Sequence, residues 1–186
     1  IVLYLVSTVF VCYQAFESVD TLVWNALFWI ILLFASINAI SRSFVQESQY
    51  RQLYYYSIAG PKAIILSKII YNIILMVFLS IVAYVIYSII FKNPVGDPLL
   101  YFFAVLLGSI SFATVFTMVS GISSKTGNNS TIMAILAFPV IIPLLILLLK
   151  LSSNALKGLD RASSEREIIT LLAINVITVT ISLLLF

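Results

Sequence analysis

Residues 69–91, IIYNIILMVFLSIVAYVIYSIIF, run for 23 positions without a charged side chain. A bilayer core about 30 Å thick is crossed by roughly 20 apolar residues in helical form. The stretch is therefore long enough to span a membrane. It is solidly apolar and does not alternate at period two, which excludes the strand pattern of a closed barrel. Working outward, the same reading finds Ile1–Phe16, Leu22–Ser41, Pro98–Ser124, Thr126–Leu149 and Ile168–Phe186. Lipid offers no hydrogen bonds, so each such segment must satisfy its own backbone as a helix. The expectation is an all-α integral membrane protein of six transmembrane helices, one domain over 1–186. Because the chain opens inside an apolar run, Ile1–Phe16 is read as the remnant of a truncated first helix.

Composition agrees. Hydrophobic residues make up 62% of the 186 and charged residues only 9%, against roughly 45–50% and 25% in soluble domains. Ten Lys and Arg face seven Asp and Glu, a net charge of +3 that suggests no nucleic-acid partner. There is no histidine and a single cysteine, Cys12. The commonest metal ligand and the commonest general base are thus both missing, and no metal site is expected. No acidic or basic residue lies mid-span, which argues against a proton-coupled pump or an intramembrane protease. GISSKTG at Gly121–Gly127 fails the phosphate-loop pattern because its lysine precedes the second glycine. If ATP powers this protein, another polypeptide hydrolyses it.

The connections are legible too. Lys92-Asn-Pro-Val-Gly-Asp-Pro98 reads as a turn, Gly60-Pro61 as a break with proline in the first turn of a new helix, and Ser164 with Glu167 as a helix start. Alternate loops carry five basic residues each, so the positive-inside count is a tie. The loop from Arg42 to Lys68, with Glu47 its one acid, is placed in the cytoplasm. The segment from Lys150 to Arg166 reads as a solvated outer loop.

Within the first of these loops, residues 41–62 form an amphipathic coupling segment between helices two and three. Helical spacing puts Tyr50 and Tyr54 on one face, and Glu47 and Arg51 form an i,i+4 pair. With Arg42 and Phe44 these residues suit a docking surface for a cytosolic partner, since aromatics are enriched in interface cores. The same pattern also suits a plain interfacial linker. In span four, Ser109, Ala113, Thr117 and Gly121 recur every four residues with Gly108 beside them. Such a small-residue stripe serves close helix packing; a hydroxyl-lined path along Ser111, Thr114 and Thr117 is the other option. In span five, Pro139 and Pro143 each remove a backbone donor, so the helix should bend or break there.

Three of these places resemble the CcmB family, the membrane subunit of the haem-exporter-type ABC transporter of cytochrome c maturation. They are Ser41-Arg-Ser-Phe44 through Glu47, Gly60-Pro61-Lys62 through Lys68, and the twin-proline block Phe138–Ile146 that follows Lys125 and Gly127. The resemblance covers roughly Leu22 to Leu156. It implies an ABC-2-type permease-like fold in the bacterial cytoplasmic (inner) membrane, working as a homodimer. Its implied partners are a CcmA-like ATPase, CcmC-like and CcmD-like membrane subunits and a CcmE-like haem chaperone. No cofactor would bind directly: ATP would enter through the ATPase, and haem, whose usual axial ligands are scarce here, through partner subunits. The other readings of the same residues are a generic exporter permease for lipid, glycan or drug, and a membrane scaffold that transports nothing.

Overall fold

The computed structural model describes residues 1–15, 19–45, 60–124, 130–159 and 161–185. They form six α-helices and no strand: α1 Val2–Ala15, α2 Thr21–Val45, α3 Pro61–Phe91, α4 Pro98–Ser124, α5 Ser130–Leu156 and α6 Glu165–Leu185, the last preceded by a 3-10 turn at Arg161–Ser164. Five of these, α2 to α6, are long and apolar enough to cross a membrane. The expected sixth span is not matched. The 14 residues of α1 extend about 21 Å at 1.5 Å per residue, short of the bilayer core.

The exterior is apolar. Ile74, Ile89, Phe138, Ile146, Val176 and Leu184 are each at least 60% exposed, a surface only hydrocarbon would leave undisturbed. On α3 the buried residues Ile65, Ile69, Asn72, Met76, Leu79, Ala83 and Tyr87 form one stripe at helical spacing. On α5 the buried stripe is Ala137, Ile141, Leu144, Leu148, Leu151, Ser152 and Ala155.

Helix α4 is different, for it packs against α2, α3, α5 and α6 together. From Ser111 to Gly121 every residue is buried, so α4 is the central rod of the bundle. Its small residues permit that position. A Cβ on Gly108 would fall 2.4 Å from the Trp29 ring of α2, so only glycine lets the indole lie against the α4 backbone. Ser109, Ala113 and Thr117 are wholly buried along the same helix.

Three expectations about extent are revised. Helix α5 does not stop at Leu149 but continues to Leu156. Part of what was read as a solvated loop is therefore helical, with Leu151, Ser152 and Ala155 fully buried. The reason is chemical: the Ser152 hydroxyl donates to the Leu148 carbonyl at 2.6 Å, so the polar residue is satisfied inside the helix. α5 then ends in a Schellman arrangement, with Leu159 N–H donating to Asn154 O and Gly158 N–H to Ala155 O. Gly158 takes the left-handed φ of 61° this requires. Secondly, α5 runs through Pro139 and Pro143 as one helix, so it does not divide there; both rings lie on its exposed side. Thirdly, α2 continues past Ser41 to Val45.

The Gly108 contact yields a stability prediction. Gly108→Ala drives a methyl into the Trp29 ring and should lower the unfolding free energy in detergent by about 1–3 kcal/mol, the usual cost of overpacking. Gly60→Ala, which meets nothing within 4 Å, serves as the neutral control.

Candidate functional site

The richest polar chemistry among the described residues gathers at one end of the bundle, where α4 begins and α5 ends. Asp97 immediately precedes α4, and its Oδ1 accepts the N–H groups of Leu99 and Leu100, both at 3.1 Å. It is an N-cap, followed by Pro98 in the first turn. Its own N–H donates to the Ala155 carbonyl of α5 at 2.9 Å. Arg161 clasps the same carboxylate from the 3-10 turn, Nε to Oδ2 at 2.9 Å and Nη2 to Oδ1 at 3.3 Å. The Arg161 guanidinium, then the Leu100 N–H, hold the Asp97 carboxyl below its ordinary range. Gly96 is required here, because a Cβ would lie 2.9 Å from the Leu156 carbonyl.

A second ion pair ties α5 to α6. Lys150 Nζ lies 2.9 Å from Glu167 Oε1, with the lysine well exposed and the carboxylate almost wholly buried. Beside it Asn154 Nδ2 donates to Ser164 Oγ at 3.0 Å. Helix α6 does begin next to Ser164, as the sequence suggests, but the side chains of Ser164 and Glu167 both reach across to α5.

Beneath these latches lies a block of aromatic rings. Trp24 and Phe28 of α2 meet Tyr87 of α3 and Tyr101 of α4, with centroids 4.9 to 5.9 Å apart. Tyr84 stacks on Tyr101 at 5.4 Å. Each phenol finds a partner: Tyr87 donates to the Trp24 carbonyl at 2.9 Å, and Tyr101 to Asn25 Oδ1 at 3.2 Å. Asn25 Nδ2 in turn donates to Leu149 O at 3.3 Å, and Trp29 Nε1 to Ser152 Oγ at 2.9 Å. Four helices are thus fastened by side-chain hydrogen bonds in a medium where water cannot compete. The arrangement holds the helices in one geometry; among the described residues no group of three His, Cys, Asp or Glu could hold a metal.

The residues expected to dock a partner fall elsewhere. Arg42 and Phe44 lie in the last turn of α2, with side chains outside the described set, and Glu47, Tyr50, Arg51 and Tyr54 lie outside the described residues altogether. The packing stripe of Gly108, Ser109, Ala113, Thr117 and Gly121 sits at the centre of the bundle, far along α4 from the latches. Sequence reading did not find the Asp97–Arg161 and Lys150–Glu167 pairs. Asp97 before Pro98 carries a capping signal, but nothing local specifies a partner 64 residues away.

An apolar exterior, polar contacts turned inward and a central helix buried on every side define a polytopic helical membrane protein. A family model, CcmB protein, matches residues 19–185, most of the chain. The protein belongs to the CcmB family, permease subunits of the haem-export machinery for cytochrome c biogenesis. Comparison with curated proteins and with solved structures gives no match.

The latch has a pH signature. A depressed carboxyl contributes stability in full above the unfolded value of about 4 and loses it as pH falls through the lower folded value. The stability deficit of Asp97→Asn relative to the parent should therefore be constant near neutral pH and shrink in the acid range below about 4. A deficit that is independent of pH down to strong acid would remove the ion pair as its cause.

Proposed function

We propose that this chain is the mechanical permease subunit of a cytochrome c maturation ABC complex, passing ATP-driven motion from a partner ATPase to haem-handling subunits on the far side of the bacterial cytoplasmic membrane. The observation that carries the reading is the family match over residues 19–185. The partners are a CcmA-like ATPase on the cytoplasmic face, CcmC-like and CcmD-like membrane subunits, and a CcmE-like haem chaperone whose release the motion drives. The permease acts as a homodimer and binds neither ATP nor haem itself.

The coupling route follows chain connectivity. Segment 41–62 joins the end of α2 to the start of α3, and both helices pack against α4. A push on that segment reaches α4 through two helices at once. At the opposite end, the hydrogen bonds from Tyr87, Tyr101 and Trp29 link α2, α3, α4 and α5. Motion delivered at one end is therefore felt at the other as a tilt of packed rods. In this orientation the Asp97–Arg161 latch faces outward, where partner subunits would read it. The twin prolines of α5 supply compliance: the carbonyls of Ile135 and Pro139 lack their i+4 donors, on the side of the helix that faces lipid.

Two substitutions test this reading. Glu47→Ala with Arg51→Ala should uncouple ATP hydrolysis from cytochrome c assembly while leaving the protein in the membrane; undiminished assembly would refute docking at this segment. Pro139→Ala with Pro143→Ala should stiffen α5 and reduce assembly several-fold at unchanged membrane abundance. Full activity would leave the prolines without a mechanical part.

A further inference from the structure

The inward side of α6 is the polar side. Ser164, Glu167, Leu171, Asn175, Thr178 and Ser182 recur at helical spacing and are all buried, while Ile169, Leu172, Val176, Ile177 and Leu184 face out. One apolar residue in six is the reverse of a soluble helix. Opposite this stripe α4 presents Ser111, Thr114 and Thr117, and α3 presents Asn72, all buried. Asn175 lies ten residues from each end of α6, about 15 Å of helix either way. The seam thus crosses the middle of the membrane.

Its hydrogen bonds do not close. Asn72 Nδ2 donates to Thr117 Oγ1 at 2.9 Å, and Thr117 donates to the Ala113 carbonyl. That leaves Asn72 Oδ1 unpartnered on a side chain with no exposure at all. Thr114 has one hydroxyl proton for two acceptors, Ser111 O at 3.1 Å and Asn175 Oδ1 at 3.2 Å, and Asn175 Nδ2 is unpartnered. Turning the Asn175 amide over relieves Thr114 but leaves the carbonyl oxygen unpaired instead. One half of this amide is unsatisfied in either orientation. Ser182 Oγ, fully buried, is unpartnered as well. It stands beside Leu183, which packs on the Ile65–Ile69 cluster of α3, and Ile69 lies about one helical turn from Asn72.

Two amides and a hydroxyl, unsatisfied on α3 and α6 beside the hydroxyls of α4, need a ligand that is both donor and acceptor and small enough to enter a packed interface. Water alone has that chemistry here. We propose that the α3–α4–α6 seam is an internal hydration site, in which bound water satisfies Asn72 and Asn175 at mid-membrane depth and Ser182 about two helical turns further along α6. α2 and α3 each reach α4 through a direct side-chain hydrogen bond set among rings and aliphatic side chains; α6 meets it through a wet polar seam. Water-bridged contacts can re-form in a shifted register, so α6 is the helix best able to slide on the central rod.

The test compares cysteine variants made in a Cys12→Ser background in lipid vesicles, with a small hydrophilic methanethiosulfonate as probe. Only a thiolate in contact with water reacts. Thr178→Cys and Ser182→Cys should therefore label about ten-fold or more faster than Ala104→Cys in the packed centre and Val176→Cys on the lipid side. Should a cysteine variant fail to insert, the unsubstituted protein decides. In bilayers, water-to-amide polarisation transfer should reach the Asn175 side chain much faster than Trp29 Nε1, which Ser152 satisfies. Labelling no faster than that of Ala104→Cys, or transfer as slow as to Trp29, overturns the proposal and makes the seam dry.

Discussion

Helices meeting in lipid gain nothing from hiding oil, because the surrounding tails are as apolar as leucine. What holds this bundle is close approach and the hydrogen bonds that close approach permits. Everything rests on α4, buried on every side from Ser111 to Gly121, whose glycines, alanines, serines and threonines let four neighbours reach it. The contact of Gly108 with the Trp29 ring is the tightest expression of that constraint. The same indole then reaches Ser152 on α5, so a single ring joins α2, α4 and α5.

The two halves of the molecule use polar groups differently. At the Asp97 end, nearly every buried polar atom finds a partner: phenols on carbonyl and amide oxygens, an aspartate on two amides and a guanidinium, a lysine on a buried glutamate. Trp24 Nε1, Ser88 Oγ and Glu167 Oε2 are the exceptions there. Between α3 and α6 the accounts also stay open, with the Asn72 and Asn175 amides and the Ser182 hydroxyl unpaired. A closed network fixes one geometry; an open one leaves room for more than one.

The family assignment and the geometry bear on different questions. Membership in the CcmB family says what kind of machine the chain serves. The geometry says how force could travel through it, by rods cross-braced at one end and joined at the other by segment 41–62. That segment lies largely outside the described residues, so the coupling proposed for it rests on its sequence, in which Glu47 and Arg51 stand four residues apart among tyrosines.

The sequence by itself determined the class, the span count to within α1, and most helix boundaries. Pro98–Ser124 is the same in both readings, and Pro61 opens α3 as its ring geometry suggests. These features are local, because a charge-free run, a proline or a glycine acts on its own few residues whatever the remainder does. Tertiary structure alone decided which polar residues count as interior. Lys150 and Asn154 make Leu151 and Ser152 read as loop, yet both are fully buried, with Ser152 held by the Trp29 indole. Asp97 found Arg161 and Lys150 found Glu167 across loops whose path no short pattern encodes. The sense of α6, polar side inward, was likewise set by α4, since in lipid a helix turns its hydrogen-bonding groups toward whichever neighbour can answer them.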